Sequence, residues 1–133
     1  NMAAVKKDSE VHITYEDQQQ INKFARFNAK LQDVKDELNA KKKELVNLED
    51  AGDELMMLDD DSALIPYQIG EVFVESSLDD TNQMLEDAKA KTNQAISDLD
   101  KKGDSYRKVL SDLKVQLYAK FGNNINLEQD EES

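Results

Sequence analysis

The sequence predicts a mainly α-helical protein, a long antiparallel helical hairpin or coiled coil with a short β-hairpin at its bend. Three observations support this fold class. Hydrophobic residues make up only 38% of the 133 residues and charged residues 35%, so a thick globular core is not expected. Two apolar heptad patterns of similar length flank the centre of the chain. The single proline, Pro66, lies between them in a short β-type run.

The first helix is predicted within residues 14–58, after a flexible N-terminal tail of residues 1–13. Thr14 is a candidate N-cap, and Asp17 completes a shortened capping box three residues later. Apolar residues at heptad spacing then mark the face that packs against a second helix, and Lys41 interrupts them. The predicted core residues of this helix are Phe24, Phe27, Leu31, Val34, Leu38, Leu45, Leu48 and Leu55.

The second helix is predicted within residues 78–122, before an acidic C-terminal tail of residues 123–133. Ser77 and Asp80 form its start signal, and Gly122 its stop signal. Its predicted core residues are Leu85, Ile96, Leu99, Tyr106, Leu110, Leu113 and Leu117, with Thr92 and Gly103 as less regular members of the same rows. Helices of equal length predict an antiparallel pair in which the numbers of facing residues sum to ~137.

Residues 59–77 connect the helices and contain the predicted β-hairpin. Its strands are expected at about Leu64 to Tyr67 and Glu71 to Val74, with a turn at Gln68 to Gly70. A lone two-stranded hairpin is marginal in water, so strands from other chains are expected to cover it; alternatively, it packs onto the end of its own coiled coil. The predicted oligomerisation residues are Leu64, Ile65, Tyr67, Ile69, Gly70, Val72, Phe73 and Val74.

The composition also excludes several classes of function. The chain has no cysteine, one histidine (His12) and no glycine-rich phosphate loop, so we expect no enzyme, cofactor or dedicated metal site. A net charge of −12 without a basic cluster argues against nucleic acid and anionic membranes as partners. Residues 59–61 are three aspartates. They are a weak candidate site for binding a hard cation and are more typical of a solvated charge cluster. The lack of cysteine and of a secretory leader predicts an intracellular compartment.

Four stretches of the sequence resemble a known family. They are "YEDQQQINKFA" (15–25), "NLEDA" (47–51), "IPYQIGEVFV" (65–74) and "LKVQLYAKFGNNINLE" (113–128), and together they resemble β-type prefoldin subunits along nearly the whole chain. The single central hairpin matches the β type, since α-type subunits carry two. The resemblance implies a hexamer of α-type and β-type subunits, in which the hairpins join into a multi-chain β-barrel and the helical pairs extend from it.

The resemblance also implies a function. The assembly would be an ATP-independent molecular chaperone that holds unfolded proteins such as actin and tubulin at its coiled-coil tips and delivers them to the cytosolic chaperonin. This places the chain in the cytoplasm and leaves a nuclear role open. The alternative is a structural coiled-coil scaffold or adaptor that dimerises through its hairpin.

The same resemblance implies candidate client-binding tip residues from both helix ends. For residues outside the regular heptads, contact with a client and a purely structural role are equally expected. Phe24, Phe27 and Leu117 lie on the heptad rows and are assigned to the core. The predicted client-binding residues are Ile13, Tyr15, Tyr118, Phe121, Ile125 and Leu127. The acidic residues after Leu127 are expected to aid solubility, to repel acidic clients or to contact a basic patch on the chaperonin.

Overall fold

The computed structural model describes residues 4–5, 12–57, 64–69 and 72–127. In chain order its elements are β1 (Ala4–Val5), α1 (Tyr15–Leu55), β2 (Leu64–Ile69), β3 (Val72–Ser77), α2 (Leu78–Phe121), a 3₁₀ turn (Gly122–Asn124) and β4 (Ile125–Asn126). The predicted acidic cluster at 59–61, the turn glycine Gly70 and residues 128–133 lie outside the described residues.

Helix α1 begins with the predicted capping box. The Thr14 backbone N–H donates to Asp17 Oδ2 and the Asp17 backbone N–H donates to Thr14 Oγ1, both at 3.0 Å. These bonds satisfy amide groups that the first helical turn otherwise leaves unpaired, and the acidic side chains of Glu16 and Asp17 lie at the positive end of the helix dipole. The sequence prediction of this cap is confirmed.

Helix α1 ends at Leu55, three residues before the predicted boundary at 58. Leu55 is buried, whereas Met56 and Met57, which follow it in a turn, are exposed. The last turn contains no basic residue, while Asp53 and Glu54 lie near the negative end of the helix dipole. The two residues after Leu55 are no longer buried, and acidic side chains near the negative end of the dipole destabilise the last turn. Both effects favour a helix that ends before residue 58.

Strands β2 and β3 form the predicted β-hairpin, but they extend to Ile69 and Ser77, beyond the predicted strand ends at Tyr67 and Val74. They pair antiparallel in a register that runs from Leu64 with Ser77 to Ile69 with Val72. Gln68 pairs with Phe73 and therefore belongs to a strand, as does Ile69; the prediction of a turn at Gln68 to Gly70 was wrong for these two residues. Only two residues connect the strands, the commonest hairpin length, and longer strands satisfy more backbone hydrogen bonds.

Helix α2 begins and ends at the predicted signals. Ser77 Oγ accepts a hydrogen bond from the Asp80 backbone N–H at 3.2 Å, so Ser77 is the N-cap. At the other end Gly122 has a φ of +56°, a left-handed conformation that glycine adopts at little cost and that commonly terminates helices.

Two compact units divide the chain, and both helices contribute to each. The terminal unit comprises Asn1–Glu37 and Leu99–Ser133, and the hairpin unit comprises Leu38–Asp98. In the terminal unit, Asp17 pairs with Lys120, and a Cβ built at Gly103 would lie 3.4 Å from Val34 Cγ1. The two helices are therefore antiparallel in this unit, and both contacts agree with facing residue numbers that sum to ~137.

The hairpin unit has its own smaller core. Leu55, Leu78 and Leu85 are buried in it, with Leu48 and Ala51 packed against them. The Thr92 hydroxyl, which is buried, donates to Glu44 Oε2 at 2.8 Å and thereby connects the two helices within this unit. Lys41, predicted as a polar core position, is only half-buried and pairs with Glu44 along its own helix.

Candidate functional site

The main apolar cluster of the terminal unit lies where α1 begins and α2 ends. Its buried members come from both helices and from the segment after α2. They are Ile21, Phe24, Leu31, Leu110, Leu113, Leu117, Phe121, Ile125 and Leu127, with Phe27, Tyr106, Val109 and Tyr118 partly buried against them. The cluster packs the start of α1 against the end of α2 and the segment that follows it.

The C-terminal segment, residues 122–127, turns back onto this cluster after Gly122. Its extended part buries alternate residues: Ile125 and Leu127 are 4% and 0% exposed, while Asn126 between them is exposed. The Leu127 backbone N–H donates to Tyr118 Oη at 3.1 Å, and β4 pairs antiparallel with β1 through Ala4–Asn126 and Val5–Ile125. Ile125 and Leu127 thus belong to the folded core, although the sequence assigned residues 123–133 to an acidic tail.

The six predicted client-binding residues fall into two groups in this structure. Ile13 and Tyr15 are 38% and 74% exposed. Phe121, Ile125 and Leu127 are buried, and Tyr118 is half-buried with its hydroxyl bound to the Leu127 backbone. The sequence leaves client contact and a structural role equally open for Phe121, Ile125 and Leu127, and this conformation buries all three.

Asp17 connects the start of α1 to the end of α2. Besides its capping bonds to Thr14, its Oδ2 accepts a charge-assisted hydrogen bond from Lys120 Nζ. The Lys120 bond, followed by the Thr14 backbone bond, holds the pKa of the Asp17 carboxyl below its usual range. The carboxylate therefore remains ionised at neutral pH and joins both helix ends beside the apolar cluster.

A second feature of this unit is a pair of aromatic rings surrounded by cations. Phe27 and Tyr106 make an edge-to-face contact across the two helices, with ring centroids 5.6 Å apart. Lys23, Arg26 and Lys30 each lie within 5.9 Å of the Phe27 ring centroid. These cation–π contacts cover the exposed side of a half-buried ring, which the heptad pattern had placed in the core.

The heptad argument missed two buried residues of α1, Ile21 and Asn28. In the structure Ile21, Phe24, Asn28 and Leu31 are buried, at alternating spacings of three and four residues, and Phe27 lies at the flank. The side-chain amide of Asn28 has no hydrogen-bond partner among the described residues. Ile21 was identifiable from the same spacing, but a polar Asn28 gave no hydrophobic signal.

The predicted oligomerisation residues lie in or beside the β2–β3 hairpin. Leu64, Ile65, Tyr67 and Ile69 are in β2, and Val72, Phe73 and Val74 in β3, while Gly70 lies outside the described residues. Because the sheet has two strands, each strand has one edge whose backbone groups are unpaired in this sheet.

Within the described ranges, no group of three or more His, Cys, Asp or Glu side chains is placed to hold a metal ion. No helix in the described part of the chain is long and apolar enough to cross a membrane.

These features define a class of protein, antiparallel helical-hairpin subunits that carry a β-hairpin between their two long helices. A sequence model described as "Prefoldin subunit" matches residues 18–124. Similar proteins include prefoldin subunit 4 of Homo sapiens, 53% identical over 98% of this chain and 99% of the human one. Prefoldin subunit 4 of Saccharomyces cerevisiae is 32% identical over 88% of this chain and 90% of its own.

The fold is similar to a solved structure as well. The prefoldin beta subunit from Thermococcus strain KS-1 matches with a TM-score of 0.72 at 20% identity, over 84% of this chain and 96% of that one. The chain belongs to the prefoldin family, whose subunits are chaperones and not enzymes. Membership implies that it assembles with other prefoldin subunits.

Proposed function

We propose that this chain is a β-type subunit of a hetero-hexameric, ATP-independent chaperone that holds unfolded proteins at its coiled-coil tips. One observation carries the proposal, the match of 98% of this chain to a prefoldin subunit 4. Two features of the structure support it further: a β-hairpin placed between two long helices, and an apolar cluster where those helices begin and end.

The hairpin serves as the assembly joint in this proposal. Two strands alone are marginally stable in water, and each strand of β2–β3 has an edge that this sheet leaves unpaired. Hairpins from several subunits, paired edge to edge, would close into a β-barrel and remove these edges. The apolar sequence of both strands, "LIPYQI" and "VFVESS", suits a sheet covered by neighbouring chains.

The ends of the helix pair serve as the client-binding site. Burial of apolar surface is non-directional and contributes about 25 cal/mol per Å², so an apolar site accepts many unfolded sequences. Ile13 and Tyr15 are the predicted client-binding residues that this conformation exposes most. They are the first candidates for contact with a client.

The clients and the receiving partner follow from the family resemblance. We assign actin and tubulin as unfolded clients, the cytosolic chaperonin as the acceptor, and the cytoplasm as the compartment, with a nuclear role left open. No nucleotide is required in this proposal, and the sequence contains no glycine-rich phosphate-binding motif. Holding and release of a client then depend on competition for that client between this complex and the chaperonin.

A pull-down of the tagged chain from a eukaryotic extract without added nucleotide tests the proposal. We expect five other small coiled-coil subunits in one complex, identified and weighed by mass spectrometry, together with chaperonin, actin or tubulin. Purified complex should also keep a denatured protein soluble without ATP. Recovery of the chain with only itself or one structural partner would contradict the proposal and favour a coiled-coil scaffold.

A further inference from the structure

The C-terminal segment occupies the apolar cluster that the proposed function assigns to clients. Ile125 and Leu127 share this cluster with residues of both helices, among them Ile21, Phe24 and Leu117. Leu127 has no exposed surface and Ile125 only 4%. Two side chains of the same polypeptide therefore fill the cluster where the proposed function expects a client to bind.

The form of the C-terminal segment indicates which external segments would fit the same site. The segment is extended at residues 125–126, and it buries two branched aliphatic side chains on either side of an exposed Asn126. Alternation of this kind is the signature of a strand that packs one face on an apolar surface. The site thus accepts an extended segment with an apolar–polar–apolar pattern.

Backbone contacts also hold the segment in place. One hydrogen bond joins the Leu127 backbone N–H to Tyr118 Oη, and the β1–β4 pairing covers two residue pairs. Gly122, at a φ of +56°, connects the segment to α2. An extended peptide with equivalent side chains would repeat the burial of Ile125 and Leu127 and the backbone bond to Tyr118 Oη.

We propose that residues 122–127 form a self-ligand, and that extended apolar–polar–apolar segments of unfolded clients bind by displacing Ile125 and Leu127. This inference rests on the proposed holding function and specifies its site. It makes the client site latent: in the closed conformation the apolar cluster is covered, and a client binds the fraction of molecules in which the segment is displaced.

A peptide copy of the segment tests this directly. The probe is a fluorescent peptide of residues 121–129, "FGNNINLEQ", and its control carries serine in place of Ile125 and Leu127. The full chain is compared, in the reassembled complex, with a chain that ends at Asn124 and with the full-length variant Ile125→Ser/Leu127→Ser. In the truncated chain and in the double-serine variant, which we call the opened chains, the segment no longer covers the cluster. We expect both to bind the probe at least about tenfold more tightly than the full chain, because molecules whose segment covers the cluster cannot bind and so lower the apparent affinity.

Tyr118→Phe provides a gentler test that leaves the apolar cluster in place. Loss of its bond to the Leu127 backbone should strengthen probe binding a few-fold. The control Ser105→Ala, which removes an exposed hydroxyl of α2 outside the cluster, should leave probe binding unchanged. Circular dichroism melts establish that each variant is folded. Equal probe binding by the full and opened chains, or no binding by the opened ones, would overturn the proposal, as would equal binding of the serine control peptide.

Competition separates this inference from the proposed function. Urea-denatured actin should displace the probe from the opened chain, with unlabelled native actin as the control. If denatured actin leaves the probe bound, the assignment of the covered site to clients is wrong. Suppression of actin aggregation by the unmodified complex is measured in parallel and reports on the holding function alone.

Discussion

Asp17 shows how one carboxylate can serve both local and tertiary structure. It caps its own helix through Thr14 and receives the ammonium group of Lys120, 103 residues further along the chain. Both interactions favour the ionised form, which is why the pKa of the Asp17 carboxyl lies below its ordinary value. Its contribution to stability is therefore complete above the unfolded-state pKa and is lost as the pH falls through the folded-state pKa.

This linkage predicts the pH dependence of an Asp17→Asn variant. At about pH 7 the variant should unfold at a lower urea concentration than the unmodified chain, because it lacks the charge that pairs with Lys120. The difference should shrink as the pH falls below the usual carboxyl range, where the unmodified Asp17 also becomes neutral. Urea midpoints across this range measure it, with Asp33→Asn at an exposed helix position as the control. A difference that is constant with pH would contradict the proposed charge pairing.

Gly103 is a residue whose role changes once its neighbours are known. From sequence it is an unfavourable helix residue, by ~1 kcal/mol relative to alanine. In the structure it is buried, and a Cβ at this position would lie 3.4 Å from Val34 Cγ1 and 3.3 Å from Arg107 Nη1. The missing side chain lets the two helices approach closely, with room for a methyl group but not for a larger side chain.

Substitutions at Gly103 should therefore change stability in opposite directions according to size. Gly103→Ala should raise the free energy of unfolding by up to about 1 kcal/mol, because the flexible end of Arg107 can move aside. Gly103→Leu should lower it by about 1–3 kcal/mol through overlap with Val34 and Leu31. Chemical denaturation of both variants provides the measurement. A Gly103→Ala variant as unstable as the leucine variant would show that no side chain is tolerated there.

Among the elements, the β2–β3 hairpin and the helices have separable tasks. The helices have their own caps at Thr14 and Ser77 and their own apolar cores, whereas two strands alone are marginal. Changes in the strands should therefore affect assembly before they affect helix formation.

Ile69→Asp and Phe73→Asp test this separation. Each introduces a charge into a strand that the proposed barrel would bury, so we expect loss of the full-size complex while helical content is largely retained. Native mass spectrometry and circular dichroism provide the two measurements. Val46→Asp, at an exposed position of α1, is the matched control and should assemble normally. If both strand variants still form the full-size complex, the proposal that the subunits assemble through this hairpin is wrong.

At the scale of the whole molecule, assembly and client holding are assigned to different parts of the chain. The hairpin lies in one compact unit, and the two termini lie in the other. Variants at the helix ends should therefore change holding without changing the mass of the complex.

The double variant Ile13→Ser/Tyr15→Ser tests the exposed part of the proposed client site. Both residues contribute exposed apolar surface, so their replacement should leave assembly and unfolding midpoints unchanged but weaken the suppression of client aggregation several-fold. Val115→Ser, which removes an exposed apolar side chain from α2, is the control. Unchanged holding by the double variant would remove Ile13 and Tyr15 from the client site.

Much of this architecture is local and therefore visible in the sequence. The capping residues Thr14, Asp17 and Ser77, the stop at Gly122 and the hairpin between the helices each depend on residues a few positions apart. Heptad spacing likewise marks the packing face of each helix, and the equal length of the two predicted helices indicated the antiparallel pairing. The turn of the hairpin was placed too early, since pairing across the strands decided where they end.

The tertiary structure decided which of these residues are accessible. The sequence determined that the chain forms two capped helices joined by a hairpin, and it supplied Phe121, Ile125 and Leu127 as apolar residues beyond the regular heptads. In the structure all three are buried in one cluster with residues of both helices, and Gly122, with its positive φ, lies between Phe121 and Ile125. The predicted register places Asp17 opposite Lys120, but their ion pair and the burial of Asn28 depend on the packing of residues far apart in the chain, which the heptad pattern alone does not show.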